Sequence, residues 1–124
     1  MTHQLDVVAA NKALAKVARR GLRHVDVGSV RTTALAVWYG RGSLDLDHAT
    51  GPHRGDAVSL VERLSYYNVV PQERKRYLLQ EVRRLRADAG MNETPADEFG
   101  RAFLQFLPDL QPLQTRHYAE GMKA

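Results

Sequence analysis

Apolar side chains recur at helical spacing along most of this chain, and that periodicity constrains the fold more than any other feature. The clearest stripe lies towards the C-terminal end and consists of Phe99, Phe103, Phe106, Leu107 and Leu110. Residues three and four positions apart share one face of a helix, so these side chains form a continuous apolar surface. Other helices have to cover such a surface. The pattern therefore predicts an all-α fold with this stripe in its core.

Glycine and proline residues divide the sequence into helices of ordinary length. Periodicity and these breaks together predict helices over about residues 2–22, 29–39, 56–68, 71–89 and 94–107, with a last turn over 112–120. The sequence therefore predicts one domain, residues 1–124, built as a compact bundle of five to six helices.

Residues suited to helix ends stand near these boundaries. Ser29 and Asp56 are good N-caps for the second and third helices, and Thr94 opens a near-capping-box pattern at the fifth. Pro71 suits the first turn of the fourth helix, and Gly90 suits its C-terminal end. The β-branched residues of the second helix leave a strand open as an alternative there.

Residues 40–55 interrupt the helical pattern. They contain four glycines and a proline in sixteen residues, which is typical of a loop. A loop of this length is unusual in a compact domain and is generally functional or mobile. We therefore expect one long exposed loop at about residues 40–55.

Size and composition exclude several classes of protein. The chain has 124 residues, enough for a single domain with its own core, and no cysteine. Without cysteine there are no disulfides, no thiolate metal ligands and no cysteine nucleophile. No apolar run approaches the roughly 20 residues that span a bilayer, and the first residues lack a signal-peptide pattern. We therefore expect a cytoplasmic protein with no membrane partner.

The basic residues are unevenly placed and lie on two predicted helical faces. The net charge is +4, and arginine outnumbers lysine by fourteen to four. Eight basic side chains are predicted to contact a nucleic-acid backbone: Lys12, Lys16, Arg19, Arg20, Arg23, Arg76, Arg83 and Arg86. Arginine forms forked contacts with phosphate, and two basic faces suit a phosphate backbone. The alternative is an ordinary solvated surface, partly neutralised by Glu73, Glu81 and Asp88.

In its size, helical layout and two basic faces (12–23 and 74–86), the chain resembles the helical small subunits of CRISPR effector complexes. The resemblance is one of overall character, and no functional residue is transferred through it. It implies several copies of the chain along a guide-RNA complex. It also implies contact with a target or displaced strand without sequence preference.

The loop also contains residue types that bind metals. Asp45, Asp47 and His48 are followed by His53 and Arg54, and these short elements resemble the Asp-His and His-Arg-Gly elements of HNH nucleases. In that family a histidine activates water, and a later histidine or asparagine helps to hold the metal. Here the following helix offers only Asn68, and the cysteine pairs frequent in that family are absent. A metal site is one hypothesis, and a polar loop that binds nothing is the other.

Two aromatic pairs, Trp38-Tyr39 and Tyr66-Tyr67, are possible platforms for bases. Neighbouring side chains on a helix point in different directions. We therefore expect one member of each pair to belong to the core.

These observations favour a non-catalytic basic subunit that contacts a nucleic-acid backbone, single-stranded RNA or DNA or a guide-target duplex, inside a larger ribonucleoprotein complex. No phosphate-binding glycine loop, dinucleotide fingerprint or nucleophile elbow occurs. We accordingly expect no cofactor, and we expect other protein subunits, including further copies of this chain, as partners. The alternatives are a structural assembly subunit, such as a phage head-to-tail connector, and an HNH-like metal-dependent nuclease.

Overall fold

The computed structural model describes residues 7–40, 42–87 and 94–114, and these residues form helices joined by loops. The helices are α1 (Val7–Arg20), α2 (Val27–Tyr39), α3 (Arg54–Tyr67), α4 (Gln72–Ala87), α5 (Ala96–Leu104) and α6 (residues 107–114), with a 3-10 turn at Leu22–His24. Within these ranges there is no strand, and no helix is long and apolar enough to cross a bilayer. The all-α prediction is confirmed, and the strand alternative for residues 29–39 is wrong.

Helix α3 lies at the centre of the bundle, because α1, α2, α4 and α5 all pack against it. Its buried apolar side chains are Ala57, Val58, Leu60, Val61 and Leu64. Trp38 of α2 is buried in the same core, and its Nε1 donates a hydrogen bond to the Leu64 carbonyl at 3.1 Å. The one polar atom of this large ring is thereby satisfied, as burial requires.

The aromatic stripe near the C-terminal end packs as predicted. Phe99, Phe103, Phe106 and Leu110 are buried and Leu107 is partly buried. The Phe103 ring meets the Tyr67 ring edge-on at 5.8 Å, and the Arg63 guanidinium covers both Phe99 and Phe103 at about 5.5 Å. The stripe is divided between two helices, since α5 ends at Leu104 and Pro108 lies in the first turn of α6.

Asp26, three residues before the expected cap, is the N-cap of α2. Its carboxylate accepts hydrogen bonds from the Ser29 backbone N–H at 2.9 Å and the Ser29 hydroxyl at 2.8 Å. Lys16 Nζ lies 3.1 Å from the same carboxylate. The hydrogen bonds from Ser29 and Lys16 hold the pKa of Asp26 far below its ordinary value. Ser29 itself lies buried in the first turn, so the cap predicted at Ser29 is wrong.

The expected caps of α3 and α5 are also wrong. Helix α3 begins at Arg54, which places Asp56 inside its first turn, and Pro95 rather than Thr94 precedes α5. Instead, the Thr94 hydroxyl donates a hydrogen bond to the Asp56 carboxylate. Both side chains therefore bind a distant segment and leave the ends of their own helices uncapped.

The long connection between α2 and α3 is present, but the expectation that it is exposed throughout is wrong. Leu44, Leu46 and Ala49 are buried in the core. The Asn11 side chain of α1 holds the backbone by accepting a hydrogen bond from the Asp45 N–H at 2.7 Å. Apolar residues spaced along a glycine-rich loop thus fasten it to the bundle.

Several predicted features lie outside the described residues. These are the start of the first helix in residues 1–6, the glycine stop at Gly90 and the part of the last turn beyond residue 114. The predicted end of the third helix at Asn68 is confirmed, because Asn68 is the C-cap of α3.

Two leucine substitutions test the burial pattern. Leu85 on α4 is 1% exposed and Leu104 on α5 is 57% exposed. Leu85→Ala should lower the free energy of unfolding by about 2–5 kcal/mol, because it leaves a cavity in the core. The matched change Leu104→Ala should cost less than about 0.5 kcal/mol. Urea denaturation followed by circular dichroism measures both, and equal losses would contradict the packing described here.

Candidate nucleic-acid interface

The outer face of α1 carries predicted basic side chains that are exposed and unpaired within the described residues. Lys12, Arg19 and Arg20 are exposed on the side opposite the buried stripe, and Arg23 continues the series in the 3-10 turn. None of the four forms an ion pair with a residue that the structure describes. From Lys12 to Arg20 the face is roughly 12 Å long at 1.5 Å per residue. It therefore presents a short row of uncompensated positive charge.

Lys16 belongs to the same face but is not equivalent to its neighbours. Its Nζ lies 3.1 Å from the Asp26 carboxylate, and the side chain is partly covered. An ion pair of this kind has to be broken or shared before Lys16 contacts a phosphate. Lys16 is thus placed mainly to fasten the start of α2 to α1.

More of the basic side chains on α4 than on α1 form contacts within the protein. Arg76 and Arg83 are exposed and form no ion pair within the described part of the chain. Arg86 is 28% exposed, and its Nη2 lies 2.8 Å from both Glu62 Oε1 and Ser59 Oγ on α3. The structure therefore places Arg86 across the α3–α4 interface and leaves two arginines of the predicted α4 set facing outward.

Two further arginines of α4 hold the α2–α3 connection. Arg74 Nη1 donates to the Gly42 carbonyl at 2.7 Å, and burial lowers the pKa of this guanidinium. Arg84 Nη2 lies 2.8 Å from Asp47 and from Glu81, and these hydrogen bonds raise the pKa of Arg84. Neither arginine is free to bind a phosphate without releasing the connection.

The structure does not join the two predicted basic faces into one. Helices α1 and α4 each pack on α3 and share no substantial contact. Arg101, from α5, lies instead at the C-terminal end of α1. There it lines a groove of about 700 Å³ together with Arg20 and Arg23. His24 and His53 line the same groove.

The walls of this groove are tied together by one buried carboxylate. Asp56, 6% exposed, accepts a hydrogen bond from the Leu22 backbone N–H at 2.8 Å and another from the Thr94 hydroxyl. These partners belong to the 3-10 turn and to the segment that leads into α5. Since Asp56 lies on α3, its carboxylate connects three segments beside the groove that it lines.

A glycine allows the sharp turn at the groove's edge. Gly21 has φ +84°, a conformation that other residues adopt at a cost, and a Cβ there would lie 3.2 Å from the His53 ring. The His53 backbone N–H donates to the Ala18 carbonyl at 2.8 Å, which fixes the start of α3 against the end of α1. The close approach of these two segments sets the positions of Arg20 and Arg23.

Arg101, His24 and His53 were not predicted as parts of a basic site. Arg101 stands in a stretch of sequence rich in acidic residues, and the sequence pattern suggests His53 only as a metal ligand in the loop. His24 directly follows Arg23 in the sequence, and His53 reaches the groove from the start of α3. The proximity of Arg101 to Arg20 and Arg23 depends on α5 docking against the 3-10 turn. No spacing along the chain signals that contact.

The residues predicted as metal ligands lie in separate contacts. Asp47 lies 2.8 Å from Arg84, and this hydrogen bond lowers the pKa of Asp47. His48 Nδ1 lies 2.7 Å from Asp45, which raises the pKa of His48, while His53 packs against Gly21. Over the ranges that the structure describes, no three His, Asp or Glu side chains come together as a metal site.

At least one member of each aromatic pair packs in or against the core, as expected: Trp38 is buried, and Tyr39 and Tyr67 are partly buried against the core. The Trp38 and Tyr67 rings stack at 6.5 Å in the interior, whereas Tyr66 is 61% exposed. Lys75 Nζ lies 4.9 Å from the centre of the Tyr66 ring. One ring of the second pair is thus open to solvent and already has a cationic neighbour.

The contacts of the loop generate a prediction about catalysis. Incubation of the protein with single-stranded or duplex DNA or RNA in magnesium, manganese or zinc should leave the substrate intact, because Asp47 is engaged by Arg84 and His48 by Asp45. Denaturing electrophoresis provides the measurement. Cleavage that His48→Ala abolishes would contradict the prediction and favour the nuclease hypothesis.

No protein-family model, curated protein or solved structure matches this chain. The features of the chain that bear on its function are its own exposed charges and the groove beside them.

Proposed function

We propose that this chain is a non-catalytic subunit that contacts the phosphate backbone of a nucleic acid without sequence preference, inside a larger ribonucleoprotein complex. The observation that carries the proposal is the α1 face, defined as Lys12, Arg19, Arg20 and Arg23. These side chains are exposed and have no ion-pair partner among the described residues. They also lead directly into the groove that Arg101 lines.

Free guanidinium groups matter more to this proposal than the total charge. An arginine already paired with a carboxylate gains little from a phosphate, because one ion pair replaces another. An unpaired arginine gains the full forked contact and releases counterions from the nucleic acid. By this criterion the α1 face is a better binding surface than α4, where Arg74, Arg84 and Arg86 are engaged within the protein.

The absence of sequence preference follows from the kind of contact. Long cationic side chains on one helical face reach phosphates, which are the same at every nucleotide. Base reading requires side chains that enter a groove or stack on unpaired bases. The best exposed ring, Tyr66, lies on α3 and lines none of the groove beside the α1 face.

The ribonucleoprotein context rests on the resemblance to the helical small subunits of CRISPR effector complexes. The same resemblance implies a role in antiviral defence. A single face of roughly 12 Å covers few phosphates, so one copy should bind weakly. Several copies held along one strand by other subunits would bind it far more tightly through effective concentration. Weak intrinsic affinity is therefore compatible with the proposed role.

Binding of the isolated protein to single-stranded oligonucleotides tests the proposal. We expect weak binding at low salt that falls steeply towards physiological salt and does not depend on base sequence. Fluorescence anisotropy with two or three unrelated sequences, in RNA and in DNA, measures all three properties. No binding at low salt would contradict the proposal and favour a structural assembly subunit.

Two double variants locate the binding face. Arg19→Gln/Arg20→Gln and Arg76→Gln/Arg83→Gln each remove two exposed positive charges, so they change the net charge equally. The α1 variant should bind more weakly than the α4 variant, and its salt slope should fall by about one unit for each phosphate that is no longer neutralised. Both should keep the parental urea midpoint. Weaker binding by the α4 variant would place the interface on α4 instead.

A further inference from the structure

The groove at the C-terminal end of α1 has the volume of a ligand pocket and a cationic lining. Its volume of about 700 Å³ falls within the range of roughly 300–1,000 Å³ for ligand pockets. Arg20, Arg23 and Arg101 reach it from three different segments: α1, the 3-10 turn and α5. None of the three forms an ion pair with a residue described by the structure.

Two carboxylates also line the groove and offset part of this charge, but neither is paired with one of the three arginines. Asp56 is buried, and its two oxygens already accept hydrogen bonds from Leu22 and Thr94. Glu98 is exposed and lies three residues before Arg101 on α5, without an ion pair between them. The groove is thus lined by three arginines and two carboxylates, and one of these carboxylates is buried. The site retains net positive charge.

We propose that this groove binds a phosphate monoester. The group is presented either as the terminal phosphate of a nucleic-acid strand, in which case the inference rests on the proposed function, or as a free nucleotide. A monoester has three free oxygens and a charge between about −1.5 and −2 at neutral pH, whereas a diester inside a strand has two free oxygens and one charge. Three guanidinium groups from three segments match the monoester better.

The frame around the arginines supports this assignment. Asp56 fixes the 3-10 turn that carries Arg23 and the segment that leads to Arg101, so the two walls are held at a set separation. A site whose walls are fixed before the ligand arrives loses less entropy on binding. The imidazoles of His24 and His53, which line the same groove, add hydrogen-bond donors for the remaining phosphate oxygens.

One oligonucleotide sequence prepared in three forms tests the proposal on the full chain: with a 5′-phosphate, with a 3′-phosphate and with hydroxyl groups at both ends. At least one phosphorylated form should bind roughly tenfold more tightly than the hydroxyl form, the equivalent of one charge-assisted hydrogen bond. Arg101→Gln should bring that ratio close to one. Arg31→Gln, an exposed arginine on α2 that does not line the groove, is the matched control and should keep the ratio.

Arg23→Gln serves as a second variant should Arg101→Gln fail to fold, and the urea midpoint of each is measured first. Adenosine 5′-monophosphate and inorganic phosphate are titrated separately to distinguish a free nucleotide from a strand end. A further outcome is that the protein binds the monophosphate, and binds it more weakly as Arg101→Gln, yet binds no strand. That result would support the phosphate site in the groove and contradict the proposed function.

Equal binding of all three strand forms, with no binding of the monophosphate, would overturn the proposal that the groove binds a phosphate monoester. The proposed function would remain. Binding of a glutamate-rich peptide to the groove in place of any phosphate would also overturn the proposed phosphate site.

Discussion

The structure depends on the burial of α3. Leu60, Val61 and Leu64 have essentially no exposed surface, and four other helices cover the segment that carries them. Helix α4 buries its apolar face against α3, and α1 buries its own against α2 and α3, so their charged residues point outward on separate sides. The position of the basic faces is thus a consequence of the core. The charges suited to phosphate binding are those that remain outward and unpaired after the helices have packed.

The same central helix connects the core to the groove. Asp56 is buried in the first turn of α3, and burying a carboxylate is costly unless its oxygens are hydrogen-bonded. The Leu22 N–H and the Thr94 hydroxyl supply those hydrogen bonds and at the same time bring two distant segments to α3. A carboxylate that looks like a helix cap in the sequence is therefore the residue that assembles the proposed site.

The sequence predicts well which side of each helix is buried, but it predicts poorly which helices contact one another. Spacing placed Phe99 and Phe103 in the core and Arg19 and Arg20 on the surface, because helical periodicity records which side of a helix is apolar. Periodicity does not record which helices touch. The pairing of Arg86 with Glu62 and the approach of Arg101 to Arg20 both depend on tertiary packing. Both Asp26 and Ser29 are residue types that cap helices, and sequence alone does not distinguish between them. The prediction of Ser29 is therefore wrong, and Asp26 is the N-cap of α2.

The central claim is that nucleic acid contacts the end of α1 and the groove beside it. The most direct measurement is a two-dimensional amide NMR titration of the 15N-labelled protein with a short single-stranded RNA at low salt. The account predicts that the amide signals of residues 19–24 and of Arg101 shift in a dose-dependent way, while those of residues 30–38 in α2 stay in place. Shifts confined to α4, around residues 76–83, or the absence of any shift would contradict it.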